Sequence, residues 1–182
     1  MSVGIDETPD AASATPALQI RLASPDELAR VGELTYAAYS HDYDDLPPDY
    51  AAQLRHPEHL IGEFEVYVAV DAAGDFVGTV AVLRDGFDQE GRIGPGEELY
   101  FRLLATAPTA RGRGIGAALT TFVIDLARQR GLARVVMNSG PDMLGAHALY
   151  YKLGFSRATE RETTFVSGGR ELTLLTFVID VA

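Results

Sequence analysis

The chain has 182 residues, 47% of them apolar and 23% charged, with a formal net charge of −11 at neutral pH. That length suits one well-buried domain and is short for two, and the acidity argues against a nucleic-acid backbone as partner. There is no cysteine, which excludes disulfides, thiolate metal sites and a cysteine nucleophile, and no run approaches the ~18 consecutive apolar residues of a membrane span, so a cytoplasmic protein without a membrane partner is expected.

Residues 1–16 are small, acidic and proline-containing, without a basic start or an apolar core, and read as a disordered tail rather than a signal peptide. Residues 17–182 are expected to form a single domain. Leu18 to Leu22 alternates apolar and polar residues, as a strand does. Ser24-Pro25-Asp26-Glu27 is a helix start, with serine to cap, proline in the first turn and acids at the positive dipole end. Leu28, Val31, Leu34 and Thr35 recur at helical spacing and carry that helix to about Ala38. Ser40 to Pro48 reads as a loop, and Asp49 to Leu54 as a short helix.

Glu65 to Val70 and Phe76 to Leu83 are rich in valine and phenylalanine and flank Asp71-Ala72-Ala73-Gly74-Asp75, a hairpin pattern. Asp85 to Gly96, rich in glycine, is a flexible connection. An apolar strand, Leu99 to Thr106, then leads to the turn Arg111-Gly112-Arg113-Gly114-Ile115-Gly116. Beyond the turn, Ile115, Leu119, Phe122, Val123, Leu126 and Ala127 form one helical stripe that Gly131 ends. Ala133 to Asn138 is continuously apolar, hence a central strand. Asp142 to Leu153 is a helix stopped by Gly154, and Phe155 to Thr164 with Glu171 to Val181 reads as a closing antiparallel pair. The order is β-α-α-β-β-β-α-β-α-β-β, an α/β chain with a mixed sheet and helices on its faces.

The glycine turn entering a helix is suited to phosphate. The first backbone N–H groups of a helix lack internal partners, and the dipole adds about half a positive charge there. A P-loop requires Lys-Ser/Thr after the last glycine, where this chain has Ala117-Ala118. The dinucleotide fingerprint is formally met by Gly112, Gly114 and Ala117. It also calls for an acid ~20 residues on, and Arg134-Val135-Val136-Met137-Asn138 offers none. A turn that only reverses the chain would not call for paired arginines and three glycines.

The arrangement as a whole, from the strand through Pro108, Arg111-x-x-Gly114-x-Gly116, helix and strand to Ala148-Leu149-Tyr150-Tyr151-Lys152-Leu153-Gly154-Phe155, resembles the GCN5-related N-acetyltransferase superfamily. The detailed resemblance covers Leu99 to Arg157. It implies a mixed, mostly antiparallel sheet of about seven strands with a splayed parallel pair and flanking helices. It also implies an acetyl-CoA-dependent transfer of acetyl to a primary amine of a small molecule or peptide; a non-catalytic acyl-CoA-binding or sensor module is the alternative. In the resemblance, the backbone from Arg111 to Ala117 (Arg111, Gly112, Arg113, Gly114, Ile115, Gly116, Ala117) holds the pyrophosphate. Leu104, Ala105 and Thr106 offer strand-like bonds to the pantetheine.

Tyr150 stands at the position of the family tyrosine that donates to the CoA sulfur, although a core tyrosine on an amphipathic helix explains it as well. The glutamate that activates the amine in many relatives has its place at Tyr100 here. Glu98, just upstream beside Glu97, is the candidate base, against the simpler reading of a solvated strand-end carboxylate. Many members carry an asparagine where this chain has Met143, and Asn138 is the candidate for a compensating cofactor contact. The aromatics Tyr36, Tyr39, Tyr43 and Tyr50, among acids, suggest a small amine or cationic acceptor, bounded also by Glu98 to Phe101 and by residues 161–167. His41, His56, His59 and His147 match no metal-ligand spacing, and no metal is expected. The apolar final strand, Leu172 to Val181, is a candidate homodimer edge.

Overall fold

The computed structural model describes residues 18–87, 97–167 and 170–182. The expected tail and most of the expected 85–96 connection lie outside the described residues. The chain begins with strand β1 (Gln19–Leu22) and a 3-10 turn (Pro25–Glu27) running into helix α1 (Leu28–Asp42). The Glu27 carboxylate accepts from the Ser24 backbone N–H at 2.9 Å and from the Arg21 guanidinium at 2.8 Å, so the acid after the cap ties the helix start to β1. α1 runs four residues past the expected Ala38. Helix α2 (Pro48–Arg55) follows, and Gly32 of α1 lies so close to it that an added Cβ would sit 2.0 Å from the Arg55 carbonyl oxygen.

Strands β2 (Phe64–Val70) and β3 (Phe76–Leu83) form the expected hairpin, closed by Gly74 N–H donating to Asp71 O at 2.9 Å. The rest of the chain is β4 (Glu98–Thr106), α3 (Ile115–Gln129), β5 (Arg134–Ser139), α4 (Leu144–Lys152), β6 (Ser156–Arg157), β7 (Thr163–Ser167) and β8 (Arg170–Asp180). The sheet order is β1-β2-β3-β4-β5-β8-β6, with β7 paired to β8, and only β4 and β5 run parallel. Two sequence expectations need correction. Phe155 to Thr164 is not one strand, because a 3-10 turn at Thr159–Arg161 separates β6 from β7. And β8 lies between β5 and β6 rather than at the sheet edge.

Every residue of β3 is buried, since helices cover both faces of the sheet. Leu119, Val123 and Ala127 of α3 pack with Phe101, Val135 and Phe177 on one face. Leu28 and Val31 of α1 pack with Phe64, Val68 and Tyr100 on the other. Each Leu, Val or Phe among them contributes about 1.5–3 kcal/mol when fully buried, so the two layers hold the sheet against its own irregularity.

That irregularity lies in β4. Ala81 pairs with Arg102 and Thr79 with Ala105, so Val80 alone faces both Leu103 and Leu104. This is a β-bulge, and Leu103 adopts φ 53°, a left-handed conformation that a leucine occupies only when its surroundings force it. One rung earlier the parallel ladder with β5 stops at Phe101↔Met137. The second half of β4 and the end of β5 therefore part, leaving a wedge.

Candidate active site

The wedge opens into a cleft of about 340 Å³, walled by β4 from Phe101 to Thr106, Met137, Asn138 and Ser139 of β5, the end of α1, Arg111, and residues 142–146 with Tyr150 from the α4 side. Of the residues singled out from sequence, Leu104, Ala105, Thr106, Arg111, Asn138 and Tyr150 meet here, together with Tyr39 and Tyr43. The turn beyond Arg111 adjoins the same wall: a Cβ on Gly116 would lie 3.6 Å from Thr106 Oγ1 and 3.2 Å from Leu149 Cδ2. Gly112 and Gly114 both have φ 76°, which glycine tolerates, and open space lies where their side chains would project. The first N–H bonded back across this turn is that of Ala118, to Gly114 O at 2.9 Å. The N–H groups of Ile115, Gly116 and Ala117 therefore precede the helical ladder, the arrangement that receives an anion.

The fit to a CoA chain rests on an atom of β5. Asn138 Nδ2 donates to Thr176 Oγ1 at 2.8 Å, which leaves Asn138 Oδ1 buried with no hydrogen-bond partner among the described residues. A buried carbonyl oxygen without a donor costs about 1–3 kcal/mol, and an amide N–H in the wedge would relieve it. The second half of β4, released from β5, adds backbone groups of the same kind.

Tyr150 is 3% exposed and stacks among Phe101, Phe155 and Phe177, with ring centroids 6.4, 5.7 and 5.5 Å away. Its hydroxyl has no hydrogen-bond partner among the described residues. Burial, reinforced by the neighbouring Tyr43 phenol, pushes it well above the ordinary phenol value. Tyr43 itself is pushed up to about 12 by burial, then by Asp42 and Tyr50. Tyr39 is raised by burial, then by the phenols of Tyr50, Tyr150 and Tyr43. The cleft is thus lined by phenols that stay protonated at neutral pH.

Arg111 is engaged by an acid that the sequence reading did not pair with it. Its guanidinium holds Asp42 at 2.7 and 2.8 Å, a bidentate pair, and donates to Ala38 O at 3.3 Å. Burial acts to raise Asp42, but the bonds from Arg111 and His41 outweigh it and leave the carboxyl lowered. Arg113 reaches Asp71 at 3.3 Å. Glu98 is not part of the cleft wall. Its side chain is 5% exposed and takes both prongs of Arg161 at 2.8 Å, with Arg134 at 3.2 Å. The 3-10 turn between β6 and β7 is what delivers Arg161 to it. Tyr36 lies under the Arg55 guanidinium, 3.4 Å from ring centroid to Cζ, and is a packing residue of the α1–α2 pair. His147 is buried, its ring nitrogen 3.1 Å from Ser139 Oγ and 3.0 Å from Gly140 O. Among the described residues there is no group of three or more His, Asp or Glu placed to hold a metal, and no helix long and apolar enough to cross a membrane.

The sequence reading missed Arg102 and Asp142 as cleft residues. The signal for Arg102 was present: a charge in the middle of the apolar strand Leu99-Tyr100-Phe101-Arg102-Leu103-Leu104.

Comparison with known proteins agrees with this geometry. Residues 28–155 match the family model described as "Acetyltransferase (GNAT) family". Mouse N-acetyltransferase 8 is 34% identical over 112 residues, covering 62% of this chain and 44% of the relative. N-alpha-acetyltransferase 30 of Schizosaccharomyces pombe is 29% identical over 147 residues, covering 74% of this chain and 92% of the relative. The chain spans less than half the length of the N-acetyltransferase 8 relatives it matches. Among solved structures, yncA of Salmonella typhimurium, determined with its cofactor acetyl-CoA, superposes with TM-score 0.62 at 22% identity, covering 91% of this chain and 95% of that one. A GNAT-family acetyltransferase of Staphylococcus aureus superposes with TM-score 0.68 at 14% identity, covering 91% and 100%. A bulged strand parting from its parallel neighbour, a glycine turn at the head of α3 and a family match spanning most of the described residues lead to one assignment: the chain belongs to the GNAT acetyltransferase family.

Proposed function

We propose that the chain is an acetyl-CoA-dependent N-acetyltransferase that moves acetyl directly to a primary amine of a small molecule or peptide. The observation that carries this reading is the wedge between β4 and β5, where the ladder stops at Phe101 and where Tyr150 and Asn138, whose buried Oδ1 has no hydrogen-bond partner among the described residues, line the same cleft. The N–H groups at the head of α3 hold the pyrophosphate, and the freed half of β4 and Asn138 hold the pantetheine amides. With no cysteine to carry an acyl group, the amine attacks the thioester carbon itself: the N–C bond forms, the C–S bond breaks, and the thiolate leaves. A backbone N–H of the freed strand steadies the oxyanion.

Tyr150 acts as a hydrogen-bond donor to the departing sulfur. A phenol raised above its ordinary value of about 10 does not surrender its proton to a thiolate whose acid form lies near ~8.5. Its contribution is to stabilise the charge, and the thiolate takes its proton from solvent through the open cleft. Glu98, clamped by two arginines, acts as a positioning residue for β4 rather than as the base. The amine loses its proton to water or arrives neutral.

The test is thiol release from acetyl-CoA across a panel of primary amines, with Tyr150→Phe alongside. Turnover on at least one amine is expected, with Y150F lowering kcat by about 10- to 100-fold, the range for losing a hydrogen bond to a developing charge, and leaving the KM for acetyl-CoA near the parent value. Acetyl-CoA binding without turnover on any amine would favour the non-catalytic module.

A further inference from the structure

Arg102 stands apart from the other arginines of this acidic chain. Every other arginine whose side chain is described has a carboxylate oxygen at 3.8 Å or closer. The sequence holds 26 Asp and Glu residues, yet Arg102 has none of them as an ion-pair partner among the described residues. Solvation does not explain the exception, because Arg102 is only partly exposed and lines the cleft. A guanidinium drawn from water without a counter-charge is costly, so a cleft that keeps one suits a ligand that brings the charge.

Its position says which part of which ligand. Arg102 is the first residue of β4 beyond the last rung with β5, at the apex of the wedge. The turn that receives phosphate begins only after Thr106, which pairs three residues further along β3 than Arg102 does, about 10 Å at the strand rise of about 3.3 Å per residue. The anion of the cofactor and the cation at the apex are therefore served by different ends of the cleft. Around Arg102 are the phenols of Tyr39 and Tyr50, which feel its charge, and the Phe64 ring, 6.0 Å from its Cζ. These neighbours are neutral, so they do not cancel the charge.

We propose that Arg102 binds the carboxylate of the acyl acceptor, and that the acceptor is a small molecule carrying both a primary amine and a carboxylate, of amino-acid type. This rests on the acyl-transfer reading above and narrows it. The cleft then presents both signs to a zwitterion, with Arg102 for the carboxylate and Asp142, also among its lining residues, for the ammonium.

The experiment uses the full chain with saturating acetyl-CoA and three acceptors, L-phenylalanine, L-methionine and L-leucine, each beside its carboxamide. Thiol release is expected to give a kcat/KM for the acids above that of the amides by about 10- to 100-fold, the span of a hydrogen bond to a charged group. Arg102→Gln is expected to collapse that ratio towards one through KM, and Arg102→Lys to restore part of it. Amides served as well as acids, or acids and amides weakened equally by R102Q, would overturn the proposal while leaving acyl transfer standing. If no amine of any kind turns over, acyl transfer itself falls. Calorimetric titration of N-acetyl-L-phenylalanine and its amide into the CoA-saturated chain then decides the anion site: acid binding lost in R102Q supports it, and equal or absent binding of the two overturns it.

Discussion

Replacing Glu98 by glutamine separates a clamp from a base in one variant. The carboxylate receives two bonds of 2.8 Å from Arg161 and one of 3.2 Å from Arg134 while its own side chain is 5% exposed. Glutamine keeps one acceptor oxygen, so one charge-assisted bond from Arg161 is lost and the other is weakened to a neutral acceptor. With about 1.5–3 kcal/mol for a bond to a charged group and about 1 for a neutral one, the loss is about 2–5 kcal/mol. Arg134 adds little, because its side chain is 42% exposed and water screens the pair. For a domain of this size 1 kcal/mol moves Tm by about 2–4 °C, so E98Q should melt roughly 5–20 °C lower in a calorimetric scan. Turnover at a temperature where both forms are folded should change less than about tenfold, against the 10²–10⁴-fold expected on removing a general base. A hundredfold loss of kcat with Tm unmoved would refute the clamp and restore Glu98 as the base.

Gly32→Ala sets two effects of known sign against each other. Alanine gains about 1 kcal/mol of helix propensity, but its Cβ would stand 2.0 Å from the Arg55 carbonyl oxygen and 3.0 Å from Pro57 Cδ. Overpacking of this kind costs about 1–3 kcal/mol and a backbone neighbour yields poorly, so Tm should fall; an unchanged or higher Tm would sink the argument. The Glu27 carboxyl is lowered from 4.5 to about 2, chiefly by the Arg21 bond and then by the Ser24 backbone N–H. Its stabilising effect is thus present above about pH 4.5 and is lost as pH falls towards 2. Acid unfolding curves of E27Q should lack that component. Because Tyr150 is raised by burial, its protonated form persists past the ordinary phenol range. The pH–rate profile should then show no descending limb from this residue up to about pH 10, with absorbance at 295 nm following the phenols directly.

The elements were legible because their signals are local. Helix caps, hairpin turns and apolar stripes placed ten of the segments within a few residues, and the glycine turn and the Leu149-Tyr150…Gly154-Phe155 block each contribute a residue, Arg111 and Tyr150, to the cleft wall. What was not legible depends on contacts between distant segments. Nothing near Glu98 announces that Arg161, 63 positions on, will cover it, and nothing near Arg111 announces Asp42, 69 positions back. The division of Phe155 to Thr164 into β6, a turn and β7 has the same origin. Its strand propensity is real, but that turn carries the guanidinium that Glu98 holds. Arg102 is legible as a charge in an apolar strand, but its place in a cleft depends on the parting of β4 from β5, which no local signal carries.

The bulge at Leu103 also governs the counting of residues. Tyr100 and Phe64 pack on the α1 side of the sheet and Phe101 on the α3 side, as alternation requires. After the bulge, Leu103 joins the α1 side and Leu104 the α3 side, so the odd and even positions exchange layers. Removing one residue between Phe101 and Ala105 would undo that exchange. The side chains beyond it would turn to the opposite layer, and Thr106 would meet the head of α3 with the wrong face. This stretch can therefore absorb changes of residue far more readily than changes of length.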